Sequence, residues 1–428
     1  MTAHDWSSAD LLLPERARLL HIGPHKTGTT ALQDAFVLAR KQLPEHGVIF
    51  PSTQRQPMRA ALAVTGRPGL RGEDPAEPGH WDRLKARVAE AGDKRVVISS
   101  EFFADADAEQ AATVIDGLGN SDVHLVVTLR PLSKILPSQW QQYVQNGATT
   151  PYEKWLHGML EPPYNKPNPS FWRRHDHPKL IEQWGSLVGY DRVTAIVVDE
   201  SDRAMLLRVF EALLGLPQDI LELVPGVANR SLSWGEVELL RLLNVEFKKQ
   251  GWPDSYYSRF VRHGGIRRVI VQHSPKPYEP KIVTPSWAEK RAAEIGQQFA
   301  EKIDAMGIRV VGDLSTLGKP PSDDHREVAD PILSAEAAAK VASGMIIAGV
   351  GDPRKKSTDL ALESAGAAST VKPENADPAK AAKQVGPVSE RNKRPVQVEE
   401  RLVANVRTSQ LVRVVAKRVT SRLRRRSR

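Results

Sequence analysis

The chain has 428 residues, 40% hydrophobic and 26% charged, with 29 Gly, 31 Pro and no Cys. That composition excludes a collagen-like or wholly disordered chain, and the missing thiol excludes disulfides, thiolate metal sites and cysteine nucleophiles. The net charge of +9 is a local property: residues 389–428 hold 13 Lys and Arg against 3 Asp and Glu, and the rest of the chain holds 47 against 48.

The first apolar run, Leu11-Leu12-Leu13, stops at Pro14, so no secretory signal pattern is read there. Arg18 to Ile22 reads as a short buried strand, followed by a Gly-containing turn and a helix from Thr29 to about Lys41. His46–Phe50, Arg95–Ser99, Val123–Leu129 and Arg192–Val198 read as further strands, the last of them the final clear one. Short β-branched runs separated by helical patterns predict a parallel sheet built from crossovers, with ligands beyond the carboxyl ends of the strands. After Val198 the pattern is helical: Arg203–Leu214 with Gly215 as C-cap, Ser233–Lys249, and Ser286–Met306. All 25 Phe, Trp and Tyr lie at or before Phe299, and large cores draw heavily on aromatic area. The main domain is therefore expected over 17–320, after an N-terminal extension at 1–16. An Ala/Pro/Lys-rich linker over 321–395, with one helix at Ser334–Ala348, and a basic amphipathic tail over 396–428 complete the expected organisation. Val341–Val350 falls short of the roughly 20 apolar residues a spanning helix needs.

The most informative stretch is His21-Ile22-Gly23-Pro24-His25-Lys26-Thr27-Gly28-Thr29-Thr30, lying between a strand and a helix. Free N–H groups and the positive helix end make that junction an anion site. Gly28 lets the backbone approach closely, Lys26 supplies a mobile charge, and the Thr hydroxyls add donors. A Walker A loop places its Lys directly after the second Gly and a Ser/Thr after that. Here Lys26 precedes Gly28, which argues against a nucleoside triphosphatase and leaves a small-molecule or nucleoside kinase as a rival reading.

The order strand, Lys-Thr-Gly-Thr-Thr, helix resembles the 5′-phosphosulfate loop of sulfotransferases that use 3′-phosphoadenylyl sulfate (PAPS). The resemblance implies a P-loop-like α/β fold: a parallel sheet flanked by helices, here with a helical C-terminal part and a flexible basic tail. It implies PAPS as donor co-substrate with no metal required. It implies that Lys26, Thr27, Gly28, Thr29 and Thr30 hold the 5′-phosphosulfate, with Lys26 also stabilising the leaving group. The family's second anchor, for the 3′-phosphate, is an Arg at a strand end and a Ser about eight residues on. Val127-Thr128-Leu129-Arg130 followed by Ser138 matches that order, and a guanidinium fork suits a dianionic phosphate. A late basic segment touches the same phosphate in the family, which implies Arg230, although the family's Gly-rich late motif is absent. Where the family often has a Tyr near adenine, this chain has Val197-Val198-Asp199-Glu200.

Transfer to an alcohol or amine requires a base near the acceptor. Glu101, in Ile98-Ser99-Ser100-Glu101-Phe102-Phe103, follows the strand between the two nucleotide motifs. The two aromatics are expected to desolvate it and raise its pKa. A capping role is the alternative, since Ser and Asp residues surround it, and His25 and His21 are alternative bases. Arg173-Arg174-His175-Asp176-His177 reads as a polar loop near the acceptor entrance rather than a metal site. The acceptor class expected is a glycan, a glycolipid or a small alcohol. Residues 401–428, with ten Lys and Arg and no acid, read either as a solvated, mostly disordered tail or as a helix for an anionic membrane surface; no specific nucleic-acid binding is expected. A cytoplasmic location, peripheral on the inner membrane surface through the tail, follows from these expectations. A non-catalytic nucleotide-binding module tethered by the tail is the second rival.

Overall fold

A computed structural model describes residues 8–69, 71–162, 167–224, 230–319 and 330–350. The linker beyond 350 and the basic tail lie outside the described residues.

In chain order the elements are α1 (Ser8–Leu11), β1 (Arg18–His21), α2 (Thr29–Ala39), β2 (Val48–Ile49), α3 (Met58–Thr65), α4 (Gly79–Ala89) and β3 (Arg95–Ser99). There follow α5 (Ala108–Leu118), β4 (Val123–Leu129), α6 (Leu132–Gln145), α7 (Tyr152–Leu160), α8 (Ser170–His175), α9 (His177–Val188) and β5 (Val193–Val197). The rest is α10 (Met205–Leu214), α11 (Trp234–Gln250), α12 (Asp254–Tyr256), α13 (Arg267–Gln272), α14 (Ser286–Asp304), β6 (Arg309–Val311) and α15 (Ala335–Val350). The caps follow local chemistry. Asp107 and Gln110 form a capping box at the start of α5, Ser233 and Glu236 one at the start of α11, and Gly215 closes α10.

The sheet has six strands in the order β2-β3-β1-β4-β5-β6, and every described pairing is parallel. The fold is thus an α/β parallel sheet flanked by helices, of the P-loop-like kind expected. β6 went unread in the sequence: three residues, Arg309–Val311, extend the sheet beyond β5 after more than a hundred residues of helical chain. Parallel strands buried on both faces read as continuous apolar runs, and β4 is buried along its whole length. One apolar layer packs α3, α4, α5 and α9 on the sheet through Trp81, Phe103 and Trp184. The other packs α2 and α10 through Phe36, Phe50 and Phe210. Leu11 and Leu13, in the segment read as an extension, are buried in this second layer, and the Leu13 N–H donates to the Leu213 carbonyl at 2.9 Å.

Two compact units divide the chain: residues up to 258 with 274–334, and 259–273 with the segment from 335 onward. The first holds the sheet. In the second, a Cβ on Gly344 would lie 2.5 Å from the Gly264 carbonyl oxygen, so glycine at both places lets the backbones meet.

From β1 the chain runs toward β2, and from β4 it runs the opposite way toward β5. Their carboxyl ends therefore bound the crevice where such sheets bind ligands.

Candidate functional site

Three segments meet at that crevice: the loop after β1, the turn after β3 and the end of β4. Ile22 continues the ladder by donating to the Val126 carbonyl at 3.2 Å, and the Gly23 carbonyl accepts from the Thr128 N–H at 2.7 Å. Gly23 has φ +80°, and a Cβ there would stand 2.9 Å from Glu101 Cβ. Glycine at 23 is what lets the turn after β3 lie against the loop. Lys26 has φ +69° without being glycine, and its carbonyl accepts from Arg130 Nη1 at 3.0 Å. Gly28, at φ +90°, precedes α2, and no side chain caps that helix. The first N–H groups of α2 are thereby left for an anion.

The loop's hydroxyls divide. Thr27 is fully buried; its hydroxyl donates to the Pro24 carbonyl at 2.7 Å and lies against Thr128 Oγ1. That side chain shapes the loop, and only its backbone remains for a ligand. Thr29 and Thr30 make no side-chain hydrogen bond among the described residues, and Lys26 makes neither a hydrogen bond nor an ion pair there. Burial pulls Lys26 down to about 8; Glu101 opposes the shift and Arg130 adds to it.

Glu101 opens a short 3₁₀ turn over Glu101–Asp105, but the cap is Ser100, whose hydroxyl accepts from the Phe102 N–H. The Glu101 carboxylate is left to side chains: Oε2 accepts from Gln33 Nε2 at 3.1 Å and Oε1 from Gln56 Nε2 at 3.2 Å. The two flanking aromatics, expected around this carboxylate, pack elsewhere. Phe103 turns into the core, while Phe102 meets the His25 ring edge-on at 5.1 Å. His25 Nδ1 lies 4.0 Å from Glu101 Oε1. Burial first, then Arg174, His175 and Lys26, hold His25 well below its usual pKa, so its ring is neutral.

Of the alternative bases, His21 is structural. Its Nδ1 meets Ser99 Oγ at 2.9 Å and its Nε2 meets Thr128 Oγ1 at 3.2 Å, across the two strands flanking β1. Burial lowers its pKa to about 3.

Arg130 reaches the loop, but not alone. Its Nε donates to Glu200 Oε1 at 2.7 Å, and its Nη2 lies 2.6 Å from the same oxygen. Ser138 stands in the second turn of α6, and its hydroxyl donates back to the Ile135 carbonyl at 2.9 Å. Arg230 forms a two-pronged pair with buried Glu236, both contacts at 2.8 Å. Lys26, Thr27, Gly28, Thr29, Thr30, Glu101 and Arg130 thus share one crevice, while Ser138 bonds back to its own helix and Arg230 is held by Glu236.

Sequence reasoning missed a second polar group behind the loop. The segment read as a polar entrance loop forms the end of α8 and the start of α9, and its His175 and His177 are buried. Arg174 makes a two-pronged pair with Asp105, its Nε at 2.7 Å. Burial pulls its guanidinium down, and Asp105 more than offsets that. His175 Nε2 lies 3.4 Å from Gln139 Oε1. An amide oxygen only accepts, so Nε2 carries the hydrogen and Nδ1 is bare. Burial, His177, Arg174 and Lys26 hold this ring well below its usual pKa. His25 Nε2 and His175 Nδ1 are buried polar atoms without a hydrogen-bond partner among the described residues, an arrangement that costs free energy until something fills it. The contiguous run Arg173-Arg174-His175-Asp176-His177 was the available signal. Gln33 and Gln56 gave none.

No family model matches the chain, and no curated protein matches it. Among solved structures, the crystal structure of a sulfotransferase from Alicyclobacillus acidocaldarius is similar at a TM-score of 0.36 and 17% identity. The match covers 58% of this chain and 96% of that one. Among the described residues, no group of three or more His, Asp or Glu is placed to hold a metal ion, and no helix is long and apolar enough to cross a membrane.

Proposed function

We propose that the chain is a sulfotransferase that moves a sulfuryl group from PAPS to an acceptor hydroxyl. The observation that carries this reading is the meeting of four groups at one crevice: the unpaired Lys26, the uncapped start of α2, Arg130, and the Glu101 carboxylate brought in by Gly23. The open backbone at Gly28 and the unpartnered Thr29 and Thr30 hydroxyls fit a phosphosulfate. Arg130 takes the 3′-phosphate, and Ser138 joins it only if its hydroxyl leaves the Ile135 carbonyl. Arg230 is left out of the reading because both its Nη atoms are held by Glu236.

The donor supplies an activated sulfuryl group, whose bond to the bridging oxygen breaks as the acceptor oxygen bonds to sulfur. The Lys26 ammonium neutralises charge growing on the bridging oxygen. Glu101 takes the acceptor's proton. Gln33 and Gln56 each hold one of its oxygens, so the carboxylate is aimed before substrate arrives. Behind it, His175 Nδ1 is a bare acceptor on a neutral ring, without a hydrogen-bond partner among the described residues. A hydroxyl can donate to it, which supports an uncharged, hydroxyl-bearing acceptor: a glycan, a glycolipid headgroup or a small alcohol. On charge alone, residues 401–428 add a peripheral contact with anionic membrane and a cytoplasmic location to the reading; sedimentation with anionic vesicles tests that part.

Calorimetric titration with adenosine 3′,5′-bisphosphate, ADP and ATP, each with and without Mg²⁺, tests the donor site. Metal-independent binding that needs the 3′-phosphate and weakens in Arg130→Ala supports it. Preference for ATP with Mg²⁺ moves the kinase reading to the front. Binding of the bisphosphate without transfer from PAPS to any hydroxyl acceptor favours a non-catalytic module.

A further inference from the structure

Arg130 is already holding an anion. Glu200, in the turn after β5, places Oε1 against both Nε and Nη2 of Arg130, at 2.7 and 2.6 Å, while Nη1 stays on the Lys26 carbonyl. Oε2 has no hydrogen-bond partner among the described residues. Both side chains reach solvent, Arg130 at 26% and Glu200 at 44% exposure. A ligand can therefore get to the pair, and solvent weakens it. Next to Glu200, Asp199 is turned the other way, accepting from the Ser201 N–H at 2.8 Å and the Ser201 hydroxyl at 2.7 Å. Only Glu200 of that turn faces the guanidinium.

We propose that Glu200 is an intramolecular competitor for the phosphate that Arg130 receives. This rests on the reading of Arg130 as the 3′-phosphate anchor. The free protein keeps Arg130 extended over the loop by lending it one carboxylate oxygen. An incoming phosphate offers more oxygens and more charge to the same fork and displaces Glu200. Nη1 keeps its bond to the loop throughout, so the exchange leaves the backbone at Lys26 in place. Once displaced, Glu200 is an anion beside a bound anion, and it favours release of the bisphosphate product.

A purely orienting Glu200 gives the opposite prediction, and that separates the two. The experiment is calorimetric binding of adenosine 3′,5′-bisphosphate and adenosine 5′-monophosphate to the parent protein, Glu200→Gln, Glu200→Ala and Arg130→Ala, with circular dichroism as a folding control. Both Glu200 variants are expected to tighten the bisphosphate roughly twofold to fivefold, the scale of an exposed ion pair. The monophosphate should be unaffected, and Arg130→Ala should erase the difference between the two nucleotides. Weaker or unchanged bisphosphate binding in both variants overturns the competitor. Equal tightening of both nucleotides also overturns it, because that is a general field effect. If no protein in the set binds the bisphosphate, the reading of the donor site itself fails, and the competitor with it.

Discussion

Lys26 combines three properties that suit an anion site: a left-handed backbone, a half-buried ammonium and no side-chain partner among the described residues. Lys26→Ala is expected to lower turnover about 10²–10³-fold, the scale of one lost charge-stabilising donor, in an assay of sulfuryl transfer from PAPS. With its pKa drawn down to about 8, Lys26 loses its charge as pH rises through that value. Affinity for adenosine 3′,5′-bisphosphate should fall above pH 8 in the parent protein and be flat there in Lys26→Ala. Gly23 is the second residue on which the site turns. Gly23→Ala adds a Cβ at φ +80°, 2.9 Å from Glu101 Cβ, so both backbone strain and a clash result. The expected loss is about 1–3 kcal/mol of stability by urea denaturation, with a fall in turnover from the displaced carboxylate.

At the level of elements, helix ends give the cleanest test. Ser233 accepts from the Glu236 N–H, and Glu236 returns a bond to the Ser233 N–H at 2.7 Å. Ser233→Ala should cost about 1 kcal/mol, read as a shift in the urea midpoint. These ends were also the most legible part of the sequence. Gly215 marks its helix end by residue chemistry alone, β3, β4 and β5 declared themselves as β-branched runs, and β1 as a short apolar one. β6 did not, because three residues at a sheet edge carry too little pattern to stand out from the helix before them. In the site, the loop and Arg130 were readable because the chemistry is contiguous in sequence. The amides on Glu101, the Glu200 contact and the His175–Gln139 pair come from residues tens of positions apart, and only the sheet order brings them together. Glu101 shows the limit well: its place at a strand end was legible, but its neighbours are amides rather than the two aromatics beside it in sequence.

Across the whole molecule, buried neutral histidines set the response to acid. His21 is held to about 3, His124 and His177 to about 4, and His25 and His175 well below the usual value, burial being the first cause in each. The unfolded chain takes up these protons near pH 6.5 and the folded one only far lower. Stability is therefore full above about pH 6.5 and falls as pH drops toward the folded values, by roughly 1.4 kcal/mol per unit for each such group. Urea midpoints should decline steeply from pH 7 to pH 5. His177, with both ring nitrogens unpartnered against Phe299, gives the clean control: His177→Leu should flatten that slope by about one proton.

β6 lies at the edge of the sheet, yet among the described strands it is the last the ribosome delivers. Until residues 309–311 emerge, the outer edge of β5 has no partner, and an open parallel edge invites pairing with other chains. The N-terminal segment waits on the same event, since Arg309 Nη1 donates to the Leu11 carbonyl at 3.3 Å. The nascent chain must therefore hold its sheet unfinished through most of its synthesis. A protein stopped at residue 305 should accumulate as aggregate, while one stopped at 350 should stay in the soluble fraction of the same expression lysate.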